Sequence, residues 1–340
     1  MTAFEILDIL CRQDGISGTE TSAAAAACKL LSQFCECQTD DMGNVIGTMG
    51  SGERHILLDA HIDQIGMRVT QVDKNGFVRV GSCGGVDVRT LPGAQVTIHG
   101  NQNIEGIVCC QPPHLKKLAS QDTLPAVDEI YIDTGLSGEK AQSLIPLGCP
   151  VSLFSKPIKL MNDLYCSKSV DNRAGVAALI LCAQALSQQQ LNCKVSFLFS
   201  CQEETGERGA KVSAFCVDAQ QAIAVDVSFD CTPGCTEQKC GHMEKGPMIG
   251  ISPVLATCIS DTLINLAKSN SIGYQTEVMG EGTGTNADVI AVTRGGIKCG
   301  LVSIPIKYMH TGVEVVCESD IINTAKLLEQ FVENGGACNA

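Results

Sequence analysis

Residues 55–63 read His55-Ile-Leu-Leu-Asp-Ala-His-Ile-Asp63, and this order decides the fold. An apolar run of strand length passes without a turn residue into a histidine and a carboxylate two positions apart. Strands of an open α/β sheet deliver functional residues at their carboxyl ends, so the run reads as a buried strand, with His61 and Asp63 placed for chemistry. Three more runs end the same way. Val195-Ser-Phe-Leu-Phe-Ser200 leads to Glu203 and Glu204, Ala222-Ile-Ala-Val225 to Asp226, and Gly300-Leu-Val-Ser-Ile-Pro305 to His310. Asp171 stands at a helix start, in Ser169-Val-Asp-Asn-Arg173.

Helical composition falls between and around these runs, over Thr21 to Phe34, Ala174 to Leu186, Leu255 to Ser269 and Asp320 to Glu333. That order predicts an α/β fold, a mixed sheet flanked by helices. Between Arg68 and Met161 the pattern changes to short β-type runs broken by Gly and Pro: Phe77 to Val80, Gln95 to His99, Glu105 to Cys110, Glu129 to Asp133 and Pro150 to Phe154. The reading is an inserted small all-β domain, residues 68–161, within an α/β domain made of 1–67 and 162–340. The length of 340 residues suits two domains at roughly 150 residues each.

Lys plus Arg total 24 against 37 Asp plus Glu, a net of −13. A non-specific grip on nucleic acid or on an anionic membrane surface is excluded as a function class on that balance. The twenty cysteines have no repeated spacing and no CxxC pair, so they read as reduced thiols in a cytoplasmic protein. Ala174 to Leu186, the longest uncharged apolar stretch, is too short for a membrane span.

An Asp at a helix start is most often an N-cap, and a lone histidine is most often structural, so the functional reading rests on the set. Two divalent cations carry four positive charges; Asp171, Glu204 and Asp226 supply three negative ones, and a bridging hydroxide the fourth. His61 and His310 complete a mixed N/O donor set, which suits Zn²⁺ or Co²⁺ and which an oxygen-only Mg²⁺ cage would not need. Asp63 is placed to orient the His61 ring through its second nitrogen. Of the consecutive Glu203 and Glu204, one can ligate a metal and the other act as general base.

These residues resemble the tetrahedral aminopeptidases, a family of co-catalytic metallopeptidases that includes glutamyl and deblocking aminopeptidases. The resemblance is carried by Asp14-Gly-Ile-Ser-Gly-Thr-Glu20, Asp59-Ala-His-Ile-Asp-Gln-Ile-Gly66, Ser169-Val-Asp-Asn-Arg-Ala-Gly175, Gln202-Glu-Glu-Thr-Gly-Glu-Arg-Gly-Ala210, Asp226-Val227, Gly284-Thr-Asn-Ala287 and Tyr308-Met-His310 with Glu314. It implies a zinc-exopeptidase-like fold, with Asp171 bridging two metals (Zn or Co, with Mn a further candidate). His61 and Asp226 then serve one metal and Glu204 and His310 the other, with Glu203 as base and Asp63 orienting His61. It also implies release of N-terminal residues from short peptides, an inserted domain that mediates dimerisation, and a homo-oligomer that reaches a tetrahedral dodecamer. Asn286 stands where the family commonly has Asp, Gly312 where it has Pro, and Thr205 and Glu207 where it has Val and Leu. The loops bearing Asn286 and Gly312 are expected on the substrate side.

Other readings carry less. Gly282-Thr-Gly-Thr-Asn-Ala287 matches GxGxxA but lacks the acid about twenty residues on that a dinucleotide site requires. A glucanase needs two carboxylates about 5–9.5 Å apart across a glycosidic bond, a part that adjacent Glu203 and Glu204 do not readily play. A metal-dependent deacylase or amidohydrolase would use the same ions, and a non-catalytic assembly protein would need none. No GxSxG elbow, HExxH helix or P-loop occurs.

Overall fold

The computed structural model describes residues 1–111 and 126–337, so residues 112–125 of the predicted insertion lie outside the described residues. Eleven strands form one mixed sheet. Its centre is four parallel strands in the order Lys194–Ser200, His55–His61, Gln221–Phe229 and Lys298–Lys307. Antiparallel strands continue the sheet on both sides, through Val45–Gly50 and Glu36–Thr39 on one, and Glu314–Cys317, Leu164–Ser167 and Ile158–Lys159 on the other. Met248–Ile251 also pairs with Lys298–Lys307 and carries Gln275–Val278 alongside it.

Every residue of His55–His61 is buried, as is nearly all of Lys194–Ser200. Strands covered on both faces show continuous apolar runs rather than alternation, which is why these segments lack a period of two. One face is covered by helices Ala3–Cys11, Thr21–Leu31, Val170–Leu186, Thr257–Ser269 and Glu318–Glu333, which share one core with the sheet. Arg208–Val217 and Ala287–Ala291 cover the other face. Helix Val170–Leu186 is apolar around almost its whole circumference because it lies between the sheet and the helices Ala3–Cys11 and Glu318–Glu333.

The second sheet is a closed six-stranded barrel: Gly66–Val72, Val78–Cys83, Tyr131–Asp133, Asn103–Cys109, Gln95–His99 and Pro150–Leu153. It has its own core, including Met67, Val80, Val96, Ile98, Val108 and Ile132. In Asn103–Cys109 exposed and buried residues alternate, the pattern of a strand with one wet face. The barrel strands start at Gly66 and end at Leu153, whereas Ile158–Lys159, read from sequence as part of the insertion, edges the large sheet. Both residues of that short strand are exposed, so they carried no burial pattern to show which sheet they would join.

The chain leaves the large sheet at His61 and enters the barrel at Gly66, so the barrel stands beside the carboxyl ends of the parallel strands. Among the described residues every cysteine is a free thiol. No helix among them is long and apolar enough to cross a membrane.

Candidate metal centre

The register fixes the level of the site. Ser200 pairs with His61, and Ala224 with Asp59, so Asp226 lies level with His61 at the same end of the sheet. Glu203 and Glu204 follow the Lys194–Ser200 strand, His310 follows Lys298–Lys307, and Asp171 lies in the first turn of Val170–Leu186. The structure brings all seven residues singled out from the sequence into one place. Imidazole nitrogens and carboxylate oxygens of five of them form two triads that could hold a metal ion, His61, Asp171 and Asp226, and Asp171, Glu204 and His310, each within 4.8 Å.

Asp171 is the member common to both. Its Oδ1 lies 3.1 Å from His61 Nε2 and its Oδ2 3.4 Å from His310 Nε2, one oxygen turned to each imidazole. His61 Nε2 is also 3.7 Å from Asp226 Oδ1, and His310 Nε2 is 3.5 Å from Glu204 Oε1. Glu203 Oε2 stands 3.9 Å from His61 Nε2 and faces the same cavity.

Two buried carboxylates position these groups through the main chain. Asp63 accepts the backbone N–H of Glu203 at 3.0 Å and of Glu204 at 3.2 Å, as well as the Ser17 hydroxyl. Its Oδ1 also lies 3.3 Å from His61 Nδ1. Glu314 accepts the N–H of Asp171 at 3.0 Å and of His310 at 2.9 Å. The second contact secures His310 at φ 63°, a conformation that residues with a Cβ seldom adopt. Neither the Glu314 contacts nor the Ser17 bond was read from the sequence. The only signal was that both residues lie in the segments carrying the family resemblance. Arg173, fully buried, donates to the carbonyls of Ile62 at 2.8 Å and Leu10 at 2.6 Å, fixing the chain between His61 and Asp63.

The loop bearing Asn286 borders the cavity, but Asn286 itself turns away from it. It is buried beneath the site, where Nδ2 donates to Asp59 Oδ2 and Ser200 Oγ, both at 2.8 Å. The preceding Gly282 to Thr285 do line the cavity. A short helix starting at Ala287 turns the Asn286 side chain inward, a turn that Gly-Thr-Asn-Ala does not reveal.

The electrostatics indicate the kind of group this donor set would hold. Burial, reinforced by Asp226, Glu204 and Asp171 against the pull of His61, pushes Glu203 up to about 9. Burial and Asp171 push Glu204 far above the ordinary carboxylate range, and burial raises Asp226. His61 is raised despite its burial, by Asp171, Asp226 and Asp63. Among the described residues no Lys or Arg forms an ion pair with these acids. A buried anion cluster of this kind requires cations, and its mixed imidazole and carboxylate donors fit divalent ions of the Zn²⁺ type.

The profile of the M42 glutamyl aminopeptidase family matches residues 43–327. The chain is 30% identical to a lysyl aminopeptidase of Pyrococcus furiosus over 98% of its length and 97% of the relative's. Its fold is similar to that of the Pyrococcus horikoshii TET1 peptidase, described as able to assemble into a tetrahedron or a large octahedral shell, with 30% identity and a TM-score of 0.87 over 97% of this chain and 99% of that one. It is also similar to a Thermotoga maritima protein titled an endoglucanase, with 26% identity and a TM-score of 0.79 over 97% of both chains. On these grounds the chain belongs to the M42 glutamyl aminopeptidase family and is a metallo-aminopeptidase, a hydrolase of peptide bonds.

Proposed function

We propose that this protein removes N-terminal residues from short peptides with two divalent ions. The supporting observation is that two donor triads share Asp171, with Glu203 beside them. His61, Asp171 and Asp226 would hold one ion, and Asp171, Glu204 and His310 the other. The donor set suits zinc or cobalt, with manganese also accepted. When bound, such ions supply Lewis-acid polarisation of the scissile carbonyl and of water.

The remaining steps belong to the chain's own side chains. Glu203 Oε2 takes a proton from the attacking water and passes it to the leaving amine. Asp63 orients His61 and fixes Glu203 and Glu204 through their N–H groups, so base and donors shift little during reaction. A free α-amino group bound at the site would restrict cleavage to the first residue.

The assembly proposal follows the same lines. The large sheet and its helices form the catalytic unit, and the inserted unit, whose barrel strands run from Gly66 to Leu153, mediates dimerisation. Dimers of this cytoplasmic protein build a tetrahedral dodecamer, a reading supported by the tetrahedron described for the Pyrococcus horikoshii relative.

The test is amino-acid release from matched peptides with free and N-acetylated termini after loading with Zn²⁺ or Co²⁺, alongside metal content per chain. Release from free termini only, with about two ions per chain, is the expected result. Cleavage of the acetylated set would point to deacylase or endopeptidase chemistry. The likeness to a Thermotoga maritima protein named an endoglucanase favours a glycan reading; cleavage of a β-glucan with no peptide cleaved would establish it. Inactivity on all three substrates would leave an assembly protein.

A further inference from the structure

The cavity in front of the triads has a volume of about 800 Å³ and extends well past them. Part of its wall is apolar, from Met248, Met279, Met309 and the buried Leu301. Its floor is the end of the sheet. Ser228 follows Asp226 by two residues on the same strand and so projects from the same face. Ser303 is the register partner of Asp226 on the neighbouring strand. Glu277, from the Gln275–Val278 strand, lays its carboxylate across both serines. Oε1 accepts the Ser228 hydroxyl at 2.5 Å and Oε2 the Ser303 hydroxyl at 2.9 Å.

Those two bonds orient Glu277 without neutralising it. An ionised carboxylate has about four acceptor positions, so capacity remains on the cavity side. Among the described residues no Lys, Arg or His forms an ion pair with it. Lys239, which also lines the cavity, is exposed on the Glu237–Lys239 turn. A half-buried carboxylate is thus presented to the substrate space with two serines as its partners.

We propose that Glu277 is a specificity-determining residue that selects peptides with a cationic first side chain, Lys or Arg; the inference rests on the aminopeptidase reading above. Two strand residues span about 6.7 Å, close to the roughly 6 Å from Cα to Nζ in an extended lysine. A first residue whose Cα lies level with Asp226 therefore places its ammonium over Ser228 and Glu277. The aliphatic stem of Lys or Arg lies along the methionine walls, whose flexible thioethers accommodate either shape. An acidic first residue would meet Glu277 as a like charge, close to the carboxylates of the triads. A leucine would fill the apolar wall and leave Glu277 without a counter-charge.

The test compares kcat/KM for lysyl, arginyl, norleucyl and glutamyl nitroanilides, since norleucine is lysine without its ammonium group. A charge-assisted hydrogen bond of this type corresponds to about a 10- to 100-fold preference for lysyl over norleucyl in the wild type. Glu277→Gln should bring that ratio to within about threefold of one, and Glu277→Lys should turn the preference towards glutamyl. A ratio cancels any general loss of turnover in a variant. Calorimetric binding of lysinamide against norleucinamide should show the same loss in Glu277→Gln without relying on turnover. A wild-type ratio near one, or a ratio that survives Glu277→Gln, would overturn the proposal alone. Hydrolysis of none of the four substrates by the metal-loaded wild type would overturn the aminopeptidase reading and this one with it.

Discussion

Replacing Gly85 with alanine should damage the metal centre from outside it. Gly85 is exposed, lies just past the Val78–Cys83 barrel strand and does not use a left-handed backbone. By ordinary criteria Gly85→Ala is neutral or slightly stabilising. A Cβ built there, however, would lie 2.6 Å from His310 Nδ1 and 2.8 Å from Cε1, where ordinary contacts begin near 3.4 Å. The imidazole must therefore retreat by about 0.8 Å. It has room to do so because its side chain is 33% exposed, so the cost falls on the site rather than on folding. His310 Nε2 now stands 3.4 Å from Asp171 Oδ2 and 3.5 Å from Glu204 Oε1. Metal–ligand distances hold to about 0.2 Å, so a shift several times larger removes His310 from a shared donor set. The expected outcome is a 10- to 100-fold weaker second metal position and a kcat lower by about 100-fold, with stability changed by no more than about 0.5 kcal/mol. Metal content after dialysis against buffered zinc, kcat at saturating metal and the melting temperature check the three parts. Gly295→Ala, with nothing within 4 Å of the added Cβ, is the matched control. Two ions retained at wild-type affinity, with kcat within about threefold of the wild type, would refute the reasoning.

Two further perturbations separate chemistry from architecture. Glu203→Gln keeps the side-chain shape and removes the base, so turnover should fall by about 100- to 10,000-fold while metal content stays at the wild-type level; loss of metal in that variant would mean that Glu203 is a ligand. His55, buried and 2.8 Å from Ser196 Oγ, is held down to about 4 by its burial and by Lys194. Because the unfolded chain takes up that proton first, near pH 6.5, the contribution is fully present above that pH and is lost as pH falls towards 4. The loss is at most about 3 kcal/mol, and melting temperatures between pH 7.5 and 4.5 should drop faster in the wild type than in His55→Gln. Parallel curves would remove His55 as the cause.

What could be read from the sequence, and what could not, divides along a physical line. The proposed donors other than Asp171 were legible because each follows an apolar run that has to be a buried strand, and parallel strands deliver their ends to one edge of a sheet; Asp171 stood out at a helix start. The main-chain contacts that position them were not, although Asp63 itself was singled out as the partner of His61. Asp63 meets the N–H groups of Glu203 and Glu204 140 and 141 residues away, and Glu314 meets that of Asp171 at a separation of 143. Glu277 reaches Ser228 across 49 residues, and the place for the Gly85 Cβ is filled by a histidine from the far end of the chain. Such closures leave no period and no local composition signal; they exist only once the sheet has assembled. They also explain the tolerance of the loops. Asp63 and Glu314 hold Glu203, Glu204, Asp171 and His310 through their main-chain N–H groups, so these positions are set by backbone that any residue supplies. Thr205 and Glu207 flank that backbone without forming the clamp, and a Cβ at Gly312 would approach only Leu153, at 3.8 Å. Sequence change in these loops can therefore alter the cavity wall while the two carboxylates keep the metal donors in place.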